Sequence, residues 1–90
     1  KEMLFTKIVS LSDLDIVNHV NNTKYLEWCL DLADAEVILN QQIKSFEMNF
    51  IKELSLKEEV IIHETILDKS TIFNITKEDK SCFGLQLNLE

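Results

Sequence analysis

Residues Ser12 to Trp28 read Ser-Asp-Leu-Asp-Ile-Val-Asn-His-Val-Asn-Asn-Thr-Lys-Tyr-Leu-Glu-Trp. The carboxylates of Asp13 and Asp15, the imidazole of His19 and the amides of Asn18, Asn21 and Asn22 crowd into the first part of this stretch, and a strongly apolar run follows. Polar groups beside a buried element need partners, because each one left unpaired costs about 1–3 kcal/mol. The same groups can also do hydrolytic chemistry. A helix beginning after Asn21, Asn22 or Thr23 gathers unpaired N–H groups and partial positive charge at its leading end. An acyl oxygen placed there is stabilised. Asp15 and His19 can align a water against that carbonyl. Thioester hydrolysis needs an activated water, a polarised carbonyl and a site closed to bulk solvent.

The elements that must position these groups follow from periodicity. Residues 3–10, with Met3, Phe5, Ile8 and Val9, read as a strand, and residues 11–21 as a polar loop. One of Asn21, Asn22 and Thr23 caps the helix that follows. Tyr25, Trp28, Cys29, Leu32, Ala33, Glu36 and Val37 recur at helical spacing, with Leu26, Leu30, Ile38 and Leu39 widening the stripe. This predicts one helix to about Leu39, about 25 Å long. Four strands are expected after it: one alternating through Phe46, Met48 and Phe50, then Val60–Leu67, Thr71–Thr76 and one alternating through Phe83, Leu85, Leu87 and Leu89. Their short polar connections suit antiparallel hairpins. The fold class is therefore α+β: a curved antiparallel sheet wrapped around one long central helix, the hotdog architecture. Such a sheet exposes edges and a broad face, which calls for a second copy or a second domain.

Composition narrows the partners. Ninety residues make one domain at most, and 46% apolar with 28% charged residues is a globular balance. The net charge of −7, with lysines and no arginine, argues against nucleic acid and against an anionic membrane surface. Cys29 and Cys82 form neither a CxxC pair nor a zinc motif and suit a reducing, cytoplasmic setting as small apolar filler. No apolar run approaches membrane-spanning length. The chain is expected to be a fragment of a longer double-hotdog protein.

The pattern Asp-Leu-Asp-x-x-x-His-Val-Asn-Asn-x-x-Tyr-Leu-x-Trp resembles the signature of hotdog thioesterases. It is most similar to the second hotdog domain of acyl-(acyl-carrier-protein) thioesterases, plant and bacterial enzymes that release free fatty acids. The resemblance implies a catalytic set of an Asp-x-Asn-x-His stretch and a downstream glutamate. Asp15 and His19 match the first and last of that stretch, and Glu53 stands where the glutamate is expected, as the water-activating base. Val17 occupies the asparagine position, which leaves Asn18, one residue on, as a neighbouring amide. Leu54 stands where some members carry a cysteine, which favours direct attack by water. Asn18, Asn21 and Asn22 are the candidates for positioning substrate or an oxyanion. No metal and no cofactor is implied.

Strict alternation puts Glu53 on the face opposite Phe46, Met48 and Phe50, so its entry into a site requires a bulge or a partner domain. Three readings stand at this point. The first is hydrolysis of fatty acyl-(acyl-carrier-protein) thioesters, with the acyl chain in an apolar slot between helix and sheet. The second is a single-hotdog acyl-coenzyme A thioesterase, acting as a homodimer with Asp15 as its main catalyst. The third is a non-catalytic hotdog domain that binds acyl chains or supports a catalytic neighbour.

Overall fold

A computed structural model describes residues 2–33, 35–40 and 43–89. The order is β1 (Glu2–Ile8), a short 3-10 turn (Leu11–Asp13), α1 (Asn22–Leu32), α2 (Ala35–Asn40), β2 (Ile43–Phe50), β3 (Glu59–Ile66), β4 (Ser70–Lys77) and β5 (Lys80–Leu89). All five strands join one sheet in the order β1-β3-β4-β5-β2, and every pairing is antiparallel. Sequence-adjacent β3, β4 and β5 form a meander, whereas β1 and β2 come to opposite edges of the sheet.

Period-2 patterning decides which face is covered. Val60 and Ile62 on β3, Phe73 and Ile75 on β4, and Phe83, Leu85 and Leu87 on β5 all point to one side and are buried. Tyr25, Trp28 and Cys29 of α1 press onto that side, together with Val9, Val20 and Leu54 from the loops. Spacings of three and four place these helix residues on one stripe, which is why the sequence shows them as a core face. His63 projects from the opposite face of β3, where its Nε2 lies 3.0 Å from Thr76 Oγ1, a structural role.

The single long helix is not what forms. Ala33 turns to extended backbone (φ −65°, ψ 147°), and its amide forks to the carbonyls of Cys29 and Leu30, closing α1. At eleven residues α1 is roughly 16 Å long. Neither glycine nor proline marks this break, and apolar residues resume beyond it, so hydrophobic spacing runs straight through. Leu30 and Leu39, expected on the stripe, are exposed. The side chains of Val37 and Ile38 lie outside the described set.

The short helix leaves β2 uncovered. Phe46, Met48 and Phe50 sit opposite Leu87, Leu85 and Phe83 in the ladder and so face inward. Yet they are 58%, 39% and 46% exposed, while their β5 partners are 3% or less. Tyr25, Cys29, Phe73 and Phe83 fill the centre of the helix–sheet interface, and a concavity of roughly 280 Å³ opens to one side of it, lined by Phe5, Lys7, Trp28, Leu32 and Ile62.

Candidate active site

The loop ahead of α1 is folded by its own polar groups. Leu14 and Val20 pair as an isolated bridge, and the Asp15 amide donates to the His19 carbonyl at 2.8 Å. The tip between them is closed by the Asp15 carboxylate, whose Oδ1 accepts from the amides of Val17 (3.0 Å) and His19 (3.1 Å). Asn18 takes the left-handed conformation (φ 66°) that asparagine tolerates better than most residues. It is a turn former, and its own amide donates to the Asp15 carbonyl. Val17, at the family's asparagine position, is exposed at the tip.

The loop is anchored at its start by Asp13. This carboxylate is 5% exposed. Its Oδ2 accepts from the Ser10 amide (2.9 Å) and hydroxyl (2.8 Å) and lies 3.5 Å from Lys7 Nζ. Its Oδ1 accepts from the Trp28 indole at 3.3 Å. Burial by itself pushes this carboxyl up, but the Ser10 donors, Lys7 and the indole together hold it below the usual carboxylate range. Lys7 in turn lies over the Trp28 ring, 5.3 Å from its centroid.

At the other end, Asn21 is the cap. Its Oδ1 accepts from the Thr23 amide (3.0 Å) and hydroxyl (2.9 Å). The Lys24 amide donates to the Asn21 carbonyl at 2.8 Å. These two helix amides are therefore occupied within the protein, which narrows the expectation that the leading amides of the helix grip a thioester oxygen. Asn22, the first residue of α1, instead lines a cleft of roughly 240 Å³ together with Tyr25, Phe50, Ile51, Lys52 and Glu53.

Glu53 reaches this place because alternation fails after Phe50. The amides of Ile51 and Lys52 both donate to the Cys82 carbonyl, at 2.9 and 3.2 Å, so the chain slips by one residue. The slip re-aims the side chains that follow, as a bulge does. Glu53 Oε2 comes to 3.1 Å from His19 Nδ1. The structure thus joins His19 to Glu53 directly, while the Asp15 carboxylate accepts from loop amides. Both members of the pair are open to solvent, with side chains 47% and 70% exposed.

One participant was hidden in the sequence. Tyr25 reads there as part of the helix's core stripe, and it is buried at 2% exposure. Its hydroxyl accepts from the Leu54 amide (3.1 Å) and donates to the Lys52 carbonyl (3.5 Å). A phenol on an otherwise apolar stripe was the available signal, since a buried tyrosine hydroxyl needs partners. A larger concavity, about 570 Å³, lies across β2, β4 and β5 around Gly84 and shares no lining residue with the cleft at Glu53. Chemistry rather than size identifies the cleft beside His19 as the candidate site.

Comparison with known proteins agrees with this architecture. Residues 3–88 match the acyl-ACP thioesterase C-terminal domain, and the chain belongs to that family. It is 33% identical over 72 residues, 79% of its length, to a chloroplastic palmitoyl-acyl carrier protein thioesterase of Arabidopsis thaliana. That alignment spans 17% of the plant protein, so the chain corresponds to a small part of such relatives. An acyl-ACP thioesterase from Bacteroides thetaiotaomicron superposes with a TM-score of 0.85 at 25% identity, covering 96% of this chain and 36% of that one. A 1,4-dihydroxy-2-naphthoyl-CoA thioesterase from Synechocystis shares the fold, with a TM-score of 0.77 at 13% identity, covering 99% of this chain and 80% of that one.

Proposed function

We propose that this chain carries the water-activating residues of an enzyme that hydrolyses fatty acyl thioesters borne on acyl carrier protein. The observation that carries the reading is the 3.1 Å approach of His19 Nδ1 to Glu53 Oε2 beside a cleft between α1 and the end of β2. A carboxylate on Nδ1 fixes the imidazole with its other nitrogen, Nε2, directed away as a proton acceptor. A water held by Nε2 attacks the thioester carbonyl carbon and gives up its proton to the imidazole. The tetrahedral intermediate then collapses, the carbon–sulfur bond breaks, and the imidazolium returns the proton to the departing thiolate. The products are a free fatty acid and the carrier thiol. Glu53 orients and supports the imidazole, the arrangement generalised from hydrolytic triads. The side-chain amide of Asn22 supplies a donor for the carbonyl oxygen. Asp15 shapes the loop that presents His19, and Asn18 and Asn21 set its turn and its cap.

The open position of the pair bears on assembly. Thioester hydrolysis is served by a site that excludes bulk water, yet the side chains of His19 and Glu53 are 47% and 70% exposed. The inward row of Phe46, Met48 and Phe50 is uncovered beside them. A second hotdog, in the same polypeptide or as a second copy, supplies the missing cover in this reading. Two buried free thiols, Cys29 and Cys82, suit the reducing aqueous compartment in which we place the protein, the cytoplasm.

The test is a single-turnover assay of the full-length protein on acyl-carrier-protein and acyl-coenzyme A thioesters. The expected result is hydrolysis of the carrier-protein substrate, lost in His19→Ala. A wild-type rate no higher than background on both substrates would defeat the proposal.

A further inference from the structure

We propose that Tyr25 is a positioning residue of the site, its hydroxyl bracketing Glu53 through the peptide groups on either side of it. The inference rests on the reading of His19 and Glu53 given above. Residues 51–55 belong to no strand or helix, so no ladder fixes Glu53. The Tyr25 hydroxyl supplies what the ladder does not. It donates to the carbonyl of Lys52, just before Glu53, and accepts from the amide of Leu54, just after it. The phenol is itself buried and packed on three sides by rings. Its ring stacks on Phe83 at 5.4 Å between centroids and meets Trp28 and Phe50 at 5.5 and 6.0 Å. Burial pushes its ionisation above the ordinary range, although the Leu54 amide opposes this, so the oxygen remains protonated at neutral pH and can donate and accept together.

Geometry gives this bracket a purpose beyond packing. Asn21 caps α1 two residues after His19, and Tyr25 lies one turn further along the same helix. One rigid element therefore holds both halves of the pair, His19 through the cap and Glu53 through the phenol. Phenylalanine would keep the ring contacts and lose the bracket.

The experiment is a double-mutant cycle on acyl-carrier-protein hydrolysis by the full-length protein, using Tyr25→Phe, Glu53→Gln and the double variant, each with a melting curve. Tyr25→Phe is expected to lower kcat by roughly 10- to 100-fold, the scale on which small misplacements act. KM should stay within about threefold, because substrate binding is not what the bracket serves. On the Glu53→Gln background the same change should alter kcat by less than about twofold, since Tyr25 then has nothing left to position. Para-fluorophenylalanine at position 25 fills the volume of the hydroxyl without donating. It is the second variant should phenylalanine fail to fold, and the same losses are expected. A wild-type kcat in a folded Tyr25 variant overturns the inference, as does an equal loss on both backgrounds, which marks a general structural effect. An inactive wild type, or a fully active Glu53→Gln, overturns the functional reading and the inference with it. Neither of those results depends on any Tyr25 variant, so the two failures are distinguishable.

Discussion

The amide of Val20 donates to the carbonyl of Leu54 across 3.1 Å, one residue past His19 on one strand of chain and one residue past Glu53 on the other. Two segments more than thirty residues apart in sequence are thus stitched beside the groups they present. Neither group relies on its own side chain to find the other, and substitutions that disturb the stitching should act on the pair as a unit.

Removing either member of the pair should therefore cost about the same. His19→Ala and Glu53→Gln are each expected to lower kcat by roughly 10²–10⁴-fold, the range for a positioned acid or base. The double variant should be little worse than the more damaging single one. Steady-state rates of the three variants decide this, and multiplicative losses would show that the two act independently.

Asp15 separates a loop builder from a base. Asp15→Asn keeps the Oδ1 acceptor for the Val17 and His19 amides, so it should retain turnover within about tenfold of wild type. Asp15→Ala removes the acceptor and should lose more activity, together with about 1 kcal/mol of stability. If the asparagine variant is as inactive as the alanine variant, Asp15 itself takes the proton.

The held-down ionisation of Asp13 predicts acid sensitivity. A carboxyl whose folded ionisation lies below its unfolded value stabilises the fold at any pH above about 4, and that contribution fades as pH falls through the folded value. Asp13→Asn should cost about 1–3 kcal/mol near pH 7, because the Ser10 donors and Lys7 lose a charged partner. The gap between wild type and variant in urea midpoints should narrow below about pH 4. A constant gap from pH 7 down to pH 2 would contradict the assignment.

The β4–β5 turn offers a gain in stability. Glu78 and Asp79 both take positive φ, 51° and 65°, the conformation in which hairpins favour Asn-Gly. Glu78→Asn with Asp79→Gly should stabilise by about 1 kcal/mol and raise Tm by about 4–8 °C for a domain of this size. Calorimetry checks it.

The thiols should be silent in the native state. Cys29 is fully buried, and burial with Glu64 nearby pushes its ionisation up to about 12. Cys82 is 1% exposed. A thiol reagent at pH 8 should label neither until denaturant is added, as mass spectrometry would show.

The sequence disclosed what local rules govern. Alternation through Phe83 to Leu89 gave β5 and its inward face, and the asparagine run gave the cap. It did not disclose features set by distant partners. The end of α1 at Ala33 carries no breaker, and the shared Cys82 carbonyl that redirects Glu53 pairs two segments thirty residues apart. Alternation alone sent Glu53 the wrong way, and only the family resemblance placed it beside His19. The exposure of Phe46, Met48 and Phe50 was equally hidden, because a strand's pattern marks its inward side without revealing whether anything reaches far enough to cover it.

That bare row on β2 has an evolutionary corollary. In the proposed reading, the bond-breaking groups sit on this polypeptide and a second hotdog roofs the row. On that reading, a lineage can remodel the roof, and with it the length or bulk of what is admitted, without touching His19 or Glu53. Diversification of diet and preservation of chemistry then proceed on separate modules, and a chimera exchanging only the roof is the natural way to retune one without disturbing the other.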